Sequence, residues 1–279
     1  MVTQDSHFEK VFGTKKPIIG MVHLKALPGA PKYDPEVFPM EKVEEIAIEE
    51  ALLLQKAGVD GIQIENIWDY PYVKGGEIGY ETVAAMAAIA RSIKKEVSIP
   101  FGINCHLNGG KAALAIAVSV GAKWIRVFEW VNAYVSHAGI MEGIGGMLAR
   151  YRSFVKAESI QFFCDVHVKH GSHFLVSDRS IEEMAYDAES EGAEALIVTG
   201  FETGQAPTPQ RVKSLNEKTM VPLLIGSGLK RENLESLLPF CDGAIVGSDF
   251  KKDGDWKKPV DFERVYYFME QAKKVRGDQ

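Results

Sequence analysis

Short apolar runs alternate with longer amphipathic segments along most of the chain. Eight runs have the length of a buried strand, and a segment with helical spacing of apolar residues follows each one. The predicted strands are residues 18–24, 61–66, 100–106, 124–129, 161–168, 195–200, 222–227 and 244–247. The predicted helices are residues 41–57, 80–96, 110–120, a segment within 143–157, 180–191, 209–218, 231–238 and 261–275. This alternation predicts parallel βα units.

A weak internal repeat groups these units into pairs. A helix end, a glycine and a strand start recur around Gly58, Gly121 and Gly192, and residues 241–245 resemble a fourth copy. A glycine directly after a helix suits the left-handed conformation that ends many helices. Repetition of a paired unit favours a closed barrel over an open sheet, so the pattern predicts an α/β fold of the (β/α)8 TIM-barrel type.

Length and composition are consistent with one such barrel. The chain has 279 residues, within the usual size of this fold, and no low-complexity linker interrupts it. We therefore predict a single domain over residues 1–279. Its barrel core would occupy residues 17–275, preceded by a short polar extension in residues 1–16.

The charge and the cysteine content restrict the partners and the location of the protein. A net charge of −6 argues against nucleic acid or an anionic membrane surface as a partner. The three cysteines are widely spaced and form no CxxC pair, which is typical of a reducing compartment. The N-terminus has no apolar signal core, and no apolar run is long enough to span a membrane. We therefore expect a cytoplasmic location.

Small residues end the last two predicted strands. The seventh strand is followed by Gly226-Ser227-Gly228 and the eighth by Gly247-Ser248. Such residues let backbone N–H groups approach an anion, and phosphate sites of (β/α)8 barrels commonly form after strands 7 and 8. We expect Gly226, Gly228, Gly247 and Ser248 to hold the phosphate of a substrate, as in barrels of the ribulose-phosphate-binding type.

An acidic residue stands against this phosphate site. Asp249 follows Ser248 directly, and its carboxylate would repel a phosphate unless it points away from it. Lys230, Lys251 and Lys252 lie nearby in the sequence and are candidates to offset the charge. The glycines themselves are equally compatible with tight turns alone.

Strand parity places several polar side chains inside the predicted barrel. Alternate residues of a barrel strand face the interior, and the remaining ones face the helices. When the apolar neighbours are assigned to the helices, the interior receives His23, Glu65, Asn104, His106, Arg126, Asp165, His167 and Thr199. Buried charges are costly unless paired, so this set is either an internal ion-pair network, such as Arg126 with Glu65 or Asp165, or an active site.

The same groups supply acid–base chemistry. A carboxylate and a histidine close together can act as general base and general acid on a sugar-like substrate. Asp165 and His167 are the best candidates because both lie near the C-terminal end of one strand, and Glu65 is a second candidate base. Lys169 follows that strand and is suited to stabilise an enolate or form a Schiff base, unless it is a solvated loop lysine. The remaining catalytic candidates are His23, Asn104 and Arg126.

The cluster also offers ligands for a divalent metal. His23, Glu65, Asp165 and His167 provide the nitrogen and oxygen donors that such ions accept. Their spacing matches no metal motif, since the sequence contains neither HExxH nor HxH in the first strand. No cofactor is firmly predicted, and a metal-dependent hydrolase is one alternative function.

Four segments of the chain resemble a known family. They are residues 21–31, 61–66, 165–170 and 251–256, with the sequences MVHLKALPGAP, GIQIEN, DVHVKH and KKDGDW. Their combination is similar to the BtpA/SgcQ family, and the resemblance extends from the first strand to the last helix. It implies a TIM barrel but little about chemistry. The family is named in part for a role in photosystem I biogenesis, and some members resemble products of bacterial sugar-utilisation operons.

We predict an enzyme that acts on a small phosphorylated sugar or related metabolite as an isomerase, epimerase or lyase. Its active site would lie at the C-terminal mouth of the barrel. The second alternative, besides the hydrolase, is a non-catalytic assembly or stability factor of the BtpA type. Aromatic residues of the predicted loops favour a homo-oligomer: Trp68, Tyr70, Tyr72, Trp130 and Tyr134.

Overall fold

Eight parallel strands form a closed barrel in the computed structural model, which describes residues 5–200 and 205–277. The strands are β1 (Ile18–His23), β2 (Gly61–Glu65), β3 (Phe101–Asn104), β4 (Trp124–Val127), β5 (Gln161–Val166), β6 (Ala195–Val198), β7 (Leu223–Ile225) and β8 (Gly243–Val246). Each strand pairs with the next one along the chain, and β8 pairs with β1 to close the ring. The predicted TIM barrel is confirmed.

Helices connect the strands and form the outer layer. They are α1 (Asp5–Phe12), α2 (Met40–Lys56), α3 (Tyr80–Glu96), α4 (Gly110–Val120), α5 (Gly145–Phe154), α6 (Ile181–Ser190), α7 (Pro209–Asn216), α8 (Leu234–Leu237) and α9 (Phe262–Arg276). Helix α8 is a single α-turn between two 3₁₀ turns, shorter than the sequence predicted. None of the helices within the described ranges is long and apolar enough to cross a membrane.

Local sequence explains where the helices begin and end. The repeated glycines Gly58, Gly121 and Gly192 adopt φ angles of 93°, 76° and 92°, so each provides the left-handed turn predicted for it. At the start of α6, the Ser180 hydroxyl accepts a hydrogen bond from the Glu183 backbone at 3.2 Å. The Glu183 carboxylate in turn accepts from the Ser180 backbone at 2.7 Å, which completes a capping box.

Side chains of the strands alternate between the outer helices and the barrel interior, as parity predicted. Outward residues such as Ile62 and Ile64 pack against the helices. Inward residues such as Trp124 and Phe163 fill the N-terminal half of the barrel, where their rings stack at 5.4 Å. Gln63 accepts a hydrogen bond from Trp124 within this half, whereas the charged interior side chains Glu65, Arg126 and Asp165 lie nearer the C-terminal ends of their strands.

Helix α1 covers the N-terminal end of the barrel. Phe8 lies 5.9 Å from the ring of Phe163, and Phe12 lies 5.2 Å from Trp124. The extension predicted as merely polar therefore contributes to the core, although residues 1–4 of it lie outside the described ranges. The spacing of Phe8, Val11 and Phe12 is that of an amphipathic helix, so the signal was present in the sequence.

Replacing Phe12 with alanine should lower the free energy of unfolding by about 3 kcal/mol, because a buried ring is lost and the cavity cannot collapse fully. Urea denaturation followed by tryptophan fluorescence measures this change. Phe154→Ala is the matched control, since its ring is 80% exposed at the end of α5. Equal effects of the two substitutions would contradict the covering role of α1.

The connection after β4 contains a hairpin that the sequence did not predict. Its strands, Ala133–Ser136 and Gly139–Glu142, pair antiparallel. Val135 and Ser172 also exchange two backbone hydrogen bonds, at 2.8 and 2.9 Å, with Ser172 lying in the connection after β5. The hairpin therefore ties two connections together at the C-terminal end of the barrel.

Candidate active site

A cavity of about 670 Å³ opens at the C-terminal ends of the strands, and we call it the mouth cavity. Residues at the ends of β1–β5, β7 and β8, or in the connections after them, line it. Its volume lies within the range of about 300–1,000 Å³ typical of small-molecule sites. Of the predicted catalytic residues, the structure brings His23, Glu65, Arg126 and Lys169 to this cavity.

Glu65 is held by side chains from the neighbouring strand β3 and its connection. Nδ2 of Asn104 donates to Oε2 of Glu65 at 2.6 Å, and Nε2 of His106 lies 3.0 Å from Oε1. Burial raises the pKa of Glu65, but the contact with His106 and the charge of Arg126 outweigh burial and hold the pKa well below its usual range. Glu65 is therefore a carboxylate at neutral pH.

Arg126 and Asp165 form a bidentate ion pair inside the barrel. Nε and Nη2 of Arg126 donate to the two carboxylate oxygens of Asp165 at 2.7 and 2.8 Å. Burial raises the pKa of Asp165, and the Arg126 guanidinium lowers it. For Asp165 the structure therefore shows the predicted ion pair, in which Arg126 binds both carboxylate oxygens. Asp165 does not line the mouth cavity.

His23 contributes a neutral imidazole. Burial, followed by the charge of Lys251, lowers the pKa of His23 to about 3. Its Nδ1 lies 3.3 Å from the carbonyl oxygen of Trp256, and a carbonyl can only accept, so we assign the ring proton to Nδ1. Nε2 is then a hydrogen-bond acceptor beside Gly247.

Lys169 reaches the mouth cavity from the connection after β5. Its Nζ donates to the hydroxyl of Ser227 at 3.2 Å. Burial, followed by the charge of Arg126, lowers the pKa of Lys169 to about 8, while Glu65 and Asp165 oppose the shift. An amine with this pKa is partly neutral near physiological pH, as a proton acceptor or a nucleophile needs to be.

Lys169 should titrate near pH 8, because the folded protein favours its neutral form. The unfolded chain keeps the proton up to the ordinary lysine value, so the contribution of Lys169 to the free energy of unfolding rises with pH between these two values. Reductive methylation with ¹³C-formaldehyde gives an NMR signal for each lysine, and the Lys169 signal is the one missing in Lys169→Arg. A midpoint near the ordinary value of 10.5 would contradict the burial of this amine.

The expected pairing of His167 with Asp165 is wrong. Strand β5 ends at Val166, and the backbone of His167 has a φ of 60°, which turns its side chain away from the barrel interior. His167 instead stacks on His173 at 3.8 Å and lines a second cavity of about 390 Å³ with Arg179. Parity assigned His167 to the barrel interior on the assumption that β5 continues through residue 167, but the strand ends one residue earlier.

The connections after β7 and β8 both border the mouth cavity. We call residues 226–230 and 247–249 the phosphate loops, after the ligand that the sequence predicts there, and all eight of them line this cavity. Gly226 donates its N–H to Val198 at 2.8 Å, so this amide is already used. Gly228 has a φ of 79°, and a Cβ there would lie 2.1 Å from the backbone of Gln205. Gly247 has room for a Cβ, with Met21 at 3.4 Å.

Asp249 is balanced by an arginine outside the cavity. Nη2 of Arg264 donates to Oδ1 of Asp249 at 2.8 Å, and the backbone N–H of Arg231 donates to Oδ2 at 3.3 Å. Lys251 does not offset Asp249 directly, because it is fully buried and paired with Glu50 at 2.6 Å. Of the three lysines predicted to offset Asp249, Lys230 is the one that lines the cavity, as the last residue of the first phosphate loop.

The donor set proposed for a metal does not converge. Asp165 is engaged by Arg126, and His167 lies in the second cavity. In the part of the chain that the structure describes, no group of three or more His, Cys, Asp or Glu side chains is arranged to hold a metal ion. The residues present therefore do not fit the predicted metal cluster.

Aromatic loop residues line the cavity, although their sequence pattern indicated an oligomer contact. Tyr70, Tyr72 and Tyr134 border the mouth cavity, together with Trp256. Trp130 is buried against Phe162 at 4.9 Å. Trp68 packs against Trp256 at 5.2 Å. These residues therefore have contacts within the chain, and the homo-oligomer stays a prediction.

Solved structures of similar fold are TIM-barrel enzymes. Phosphoribosyl anthranilate isomerase from Thermus thermophilus matches with a TM-score of 0.58 and 12% identity, over 93% of this chain and 99% of that one. Thiamine phosphate pyrophosphorylase from Pyrococcus furiosus matches with a TM-score of 0.57 and 13% identity, over 93% and 96%. At these identities the likeness defines the class by fold alone: a (β/α)8 barrel with its cavity at the C-terminal mouth.

Sequence comparison identifies the family within this class. The BtpA family matches residues 14–274. Uncharacterized protein TK2179 of Thermococcus kodakarensis is 38% identical over 263 residues, which cover 94% of this chain and 97% of that protein. Photosystem I biogenesis protein BtpA of Synechocystis sp. is 33% identical over 263 residues, covering 94% and 89%. The chain belongs to the BtpA family, as its four motifs predicted.

Proposed function

We propose that this protein is an enzyme that binds a small phosphorylated sugar or related metabolite across the mouth of the barrel. It would move protons on this substrate as an isomerase, epimerase or lyase. The observation that carries the proposal is the presence of the phosphate loops and of Lys169, Glu65 and His23 in one cavity. Two enzymes of similar fold have phosphorylated compounds in their names, which is consistent with the proposal.

The charges around the mouth cavity suit a phosphate dianion. Arg126 is balanced by Asp165, and Asp249 by Arg264. Among the described residues lining the cavity, the unbalanced charges are then the carboxylate of Glu65 and three lysines: Lys169, Lys230 and Lys257. This excess of positive charge lies in a partly enclosed site, where electrostatic attraction is stronger than in water.

Lys169 is the group best matched to proton transfer near neutral pH. Glu65 is a weak base because its pKa is held far below neutrality, and His23, with a pKa of about 3, stays neutral. A proton-transfer group works best when its pKa is close to the operating pH, and that of Lys169 is about 8. We therefore assign proton transfer to Lys169.

The surrounding groups would position the substrate and stabilise charge. Glu65 presents a fixed carboxylate for substrate hydroxyl groups, and Asn104 orients that carboxylate at 2.6 Å. Arg126 would stabilise an enolate oxygen that develops next to the reacting carbon. Asp165 is then a positioning residue, because it holds the guanidinium of Arg126 in place.

Ribose 5-phosphate and glucose 6-phosphate should raise the thermal midpoint, because ligands that bind the native state stabilise it. Ribose and glucose should not raise it. The charge-reversing variant Lys230→Glu should weaken phosphate-ester binding by about tenfold, whereas Lys252→Glu, an exposed lysine of the connection after β8, serves as the matched control. Equal responses to the phosphorylated and free sugars would contradict a phosphate site.

The same assay distinguishes the alternative functions. Stabilisation by Mg²⁺, Mn²⁺ or Zn²⁺ that a chelator reverses would favour a metal-dependent hydrolase. The Synechocystis relative is named a photosystem I biogenesis protein. A role of that kind here, as a non-catalytic assembly factor, would be favoured if none of these sugars, phosphates or metals changed the midpoint.

A further inference from the structure

The mouth cavity has two chemically different sides. The strand order of the closed barrel places β7 and β8 diametrically opposite β3 and β4. The phosphate loops follow β7 and β8, so a ligand anchored there extends towards the ends of β3 and β4. The residues on that far side determine which chemical group of the substrate can bind there.

Rings line much of the far side of the cavity, next to Ser136 and His137. We call Tyr72, His106, Phe128 and Tyr134 the aromatic wall, and all four line the mouth cavity. Tyr72 stacks on His106 at 4.5 Å with an angle of 20° between the rings, and His106 meets Phe128 edge-on at 5.0 Å. These contacts fix the ring planes before any ligand binds.

Apart from His106, the aromatic wall belongs to an apolar cluster separate from the main core. Phe128 and Tyr134 pack with Leu107, Met141 and Val168, and Tyr72 packs against this cluster. A sugar chain has a hydroxyl group on nearly every carbon, and hydroxyl groups buried against rings without hydrogen-bond partners are unfavourable. A flat unsaturated ring, in contrast, gains from packing against such a surface.

We propose that the substrate is a phosphate ester carrying an aromatic or heteroaromatic ring, which packs against the aromatic wall. This inference rests on the proposed function for the position of the phosphate. The ring occupies the side of β3 and β4, the phosphate lies at the phosphate loops, and the reacting carbon lies between them near Lys169 and Glu65. The cavity volume of about 670 Å³ accommodates both groups.

Calorimetric titration with four probes tests this inference. Uridine 5′-monophosphate carries a phosphate and a flat ring, 5,6-dihydrouridine 5′-monophosphate carries a puckered ring, ribose 5-phosphate carries no ring, and uridine carries no phosphate. Stacking of a base on an aromatic side chain predicts that uridine 5′-monophosphate binds about tenfold tighter than ribose 5-phosphate. The dihydro compound should bind with an affinity between these two.

Phe128→Leu should reduce the affinity ratio of uridine 5′-monophosphate to ribose 5-phosphate towards one. Phe154→Leu is the matched control and should keep the ratio, because this phenylalanine is 80% exposed. If Phe128→Leu does not fold, Tyr72→Leu provides a second measurement of this affinity ratio in a variant of the aromatic wall. A ratio near one in the unmodified protein, or a ratio that survives both wall substitutions, would overturn the inference.

The two proposals fail in different ways. If ribose 5-phosphate binds and the ring adds nothing, the substrate class is wrong while the phosphate-binding function stands. If uridine binds as tightly as its monophosphate, or if no phosphorylated probe binds, the proposed function fails and the inference fails with it.

Discussion

Asp165→Asn should destabilise the protein by about 4 kcal/mol, within the range of about 3–5 kcal/mol observed when one partner of a buried ion pair is removed. Both carboxylate oxygens of Asp165 accept hydrogen bonds from Arg126, whose side chain is only 5% exposed. Asparagine keeps the shape of the side chain and removes its charge, so the guanidinium of Arg126 is left buried without its closest counter-charge. Glu65 is too engaged with Asn104 and His106 to replace it fully.

Urea denaturation of single and double variants tests this ion pair. The double variant Arg126→Met/Asp165→Leu removes both charges and should recover most of the lost stability, because apolar replacements of a buried pair are often nearly neutral. Asp253→Asn is the matched control, since Asp253 pairs with Lys258 on the surface and should leave the midpoint unchanged. A double variant as unstable as Asp165→Asn would contradict this interpretation.

Gly247→Asp should weaken the binding of ribose 5-phosphate by about a hundredfold or more. The backbone of Gly247 has a φ of −111°, which ordinary residues adopt, and a Cβ there meets Met21 and His23 only at ordinary contact distances. The fold should therefore survive. A carboxylate at this position would stand beside Ser248, where we place the phosphate.

Gly247→Asn separates charge from size in this experiment. Asparagine has nearly the shape of aspartate, so the difference in affinity between the two variants measures the repulsion alone. Calorimetric titration with ribose 5-phosphate gives both values, and circular dichroism checks the fold. Equal affinities of Gly247→Asp and Gly247→Asn would contradict a phosphate at the loops after β7 and β8.

The barrel was predictable because its periodicity is a local property of the sequence. Alternation along each strand was sufficient to place Glu65, Asn104 and Arg126 inside, since these residues lie within or directly at the end of regular strands. The same reasoning failed for His167, because a single backbone angle after Val166 reverses its direction. No periodic pattern indicates where a strand stops.

Ion-pair and packing partners from distant parts of the chain also could not be predicted from the sequence. Arg126 was a possible ion-pair partner of both Glu65 and Asp165. Only the closed barrel shows that Arg126 donates two hydrogen bonds to Asp165. The aromatic wall comes from the connections after three different strands, so no spacing rule brings its members together. The sequence predicted that Asp249 would repel a phosphate, because nothing in it indicates that Arg264 of the next helix pairs with this carboxylate.

The central claim is that a substrate phosphate binds at the loops after β7 and β8. Titration of the ¹⁵N-labelled protein with ribose 5-phosphate, followed through the backbone amide signals, tests it most directly. We predict saturable shifts concentrated at Gly228, Gly247 and Ser248. Saturable shifts concentrated at the second cavity, around His173 and Arg179, or no saturable shift at all, would contradict it.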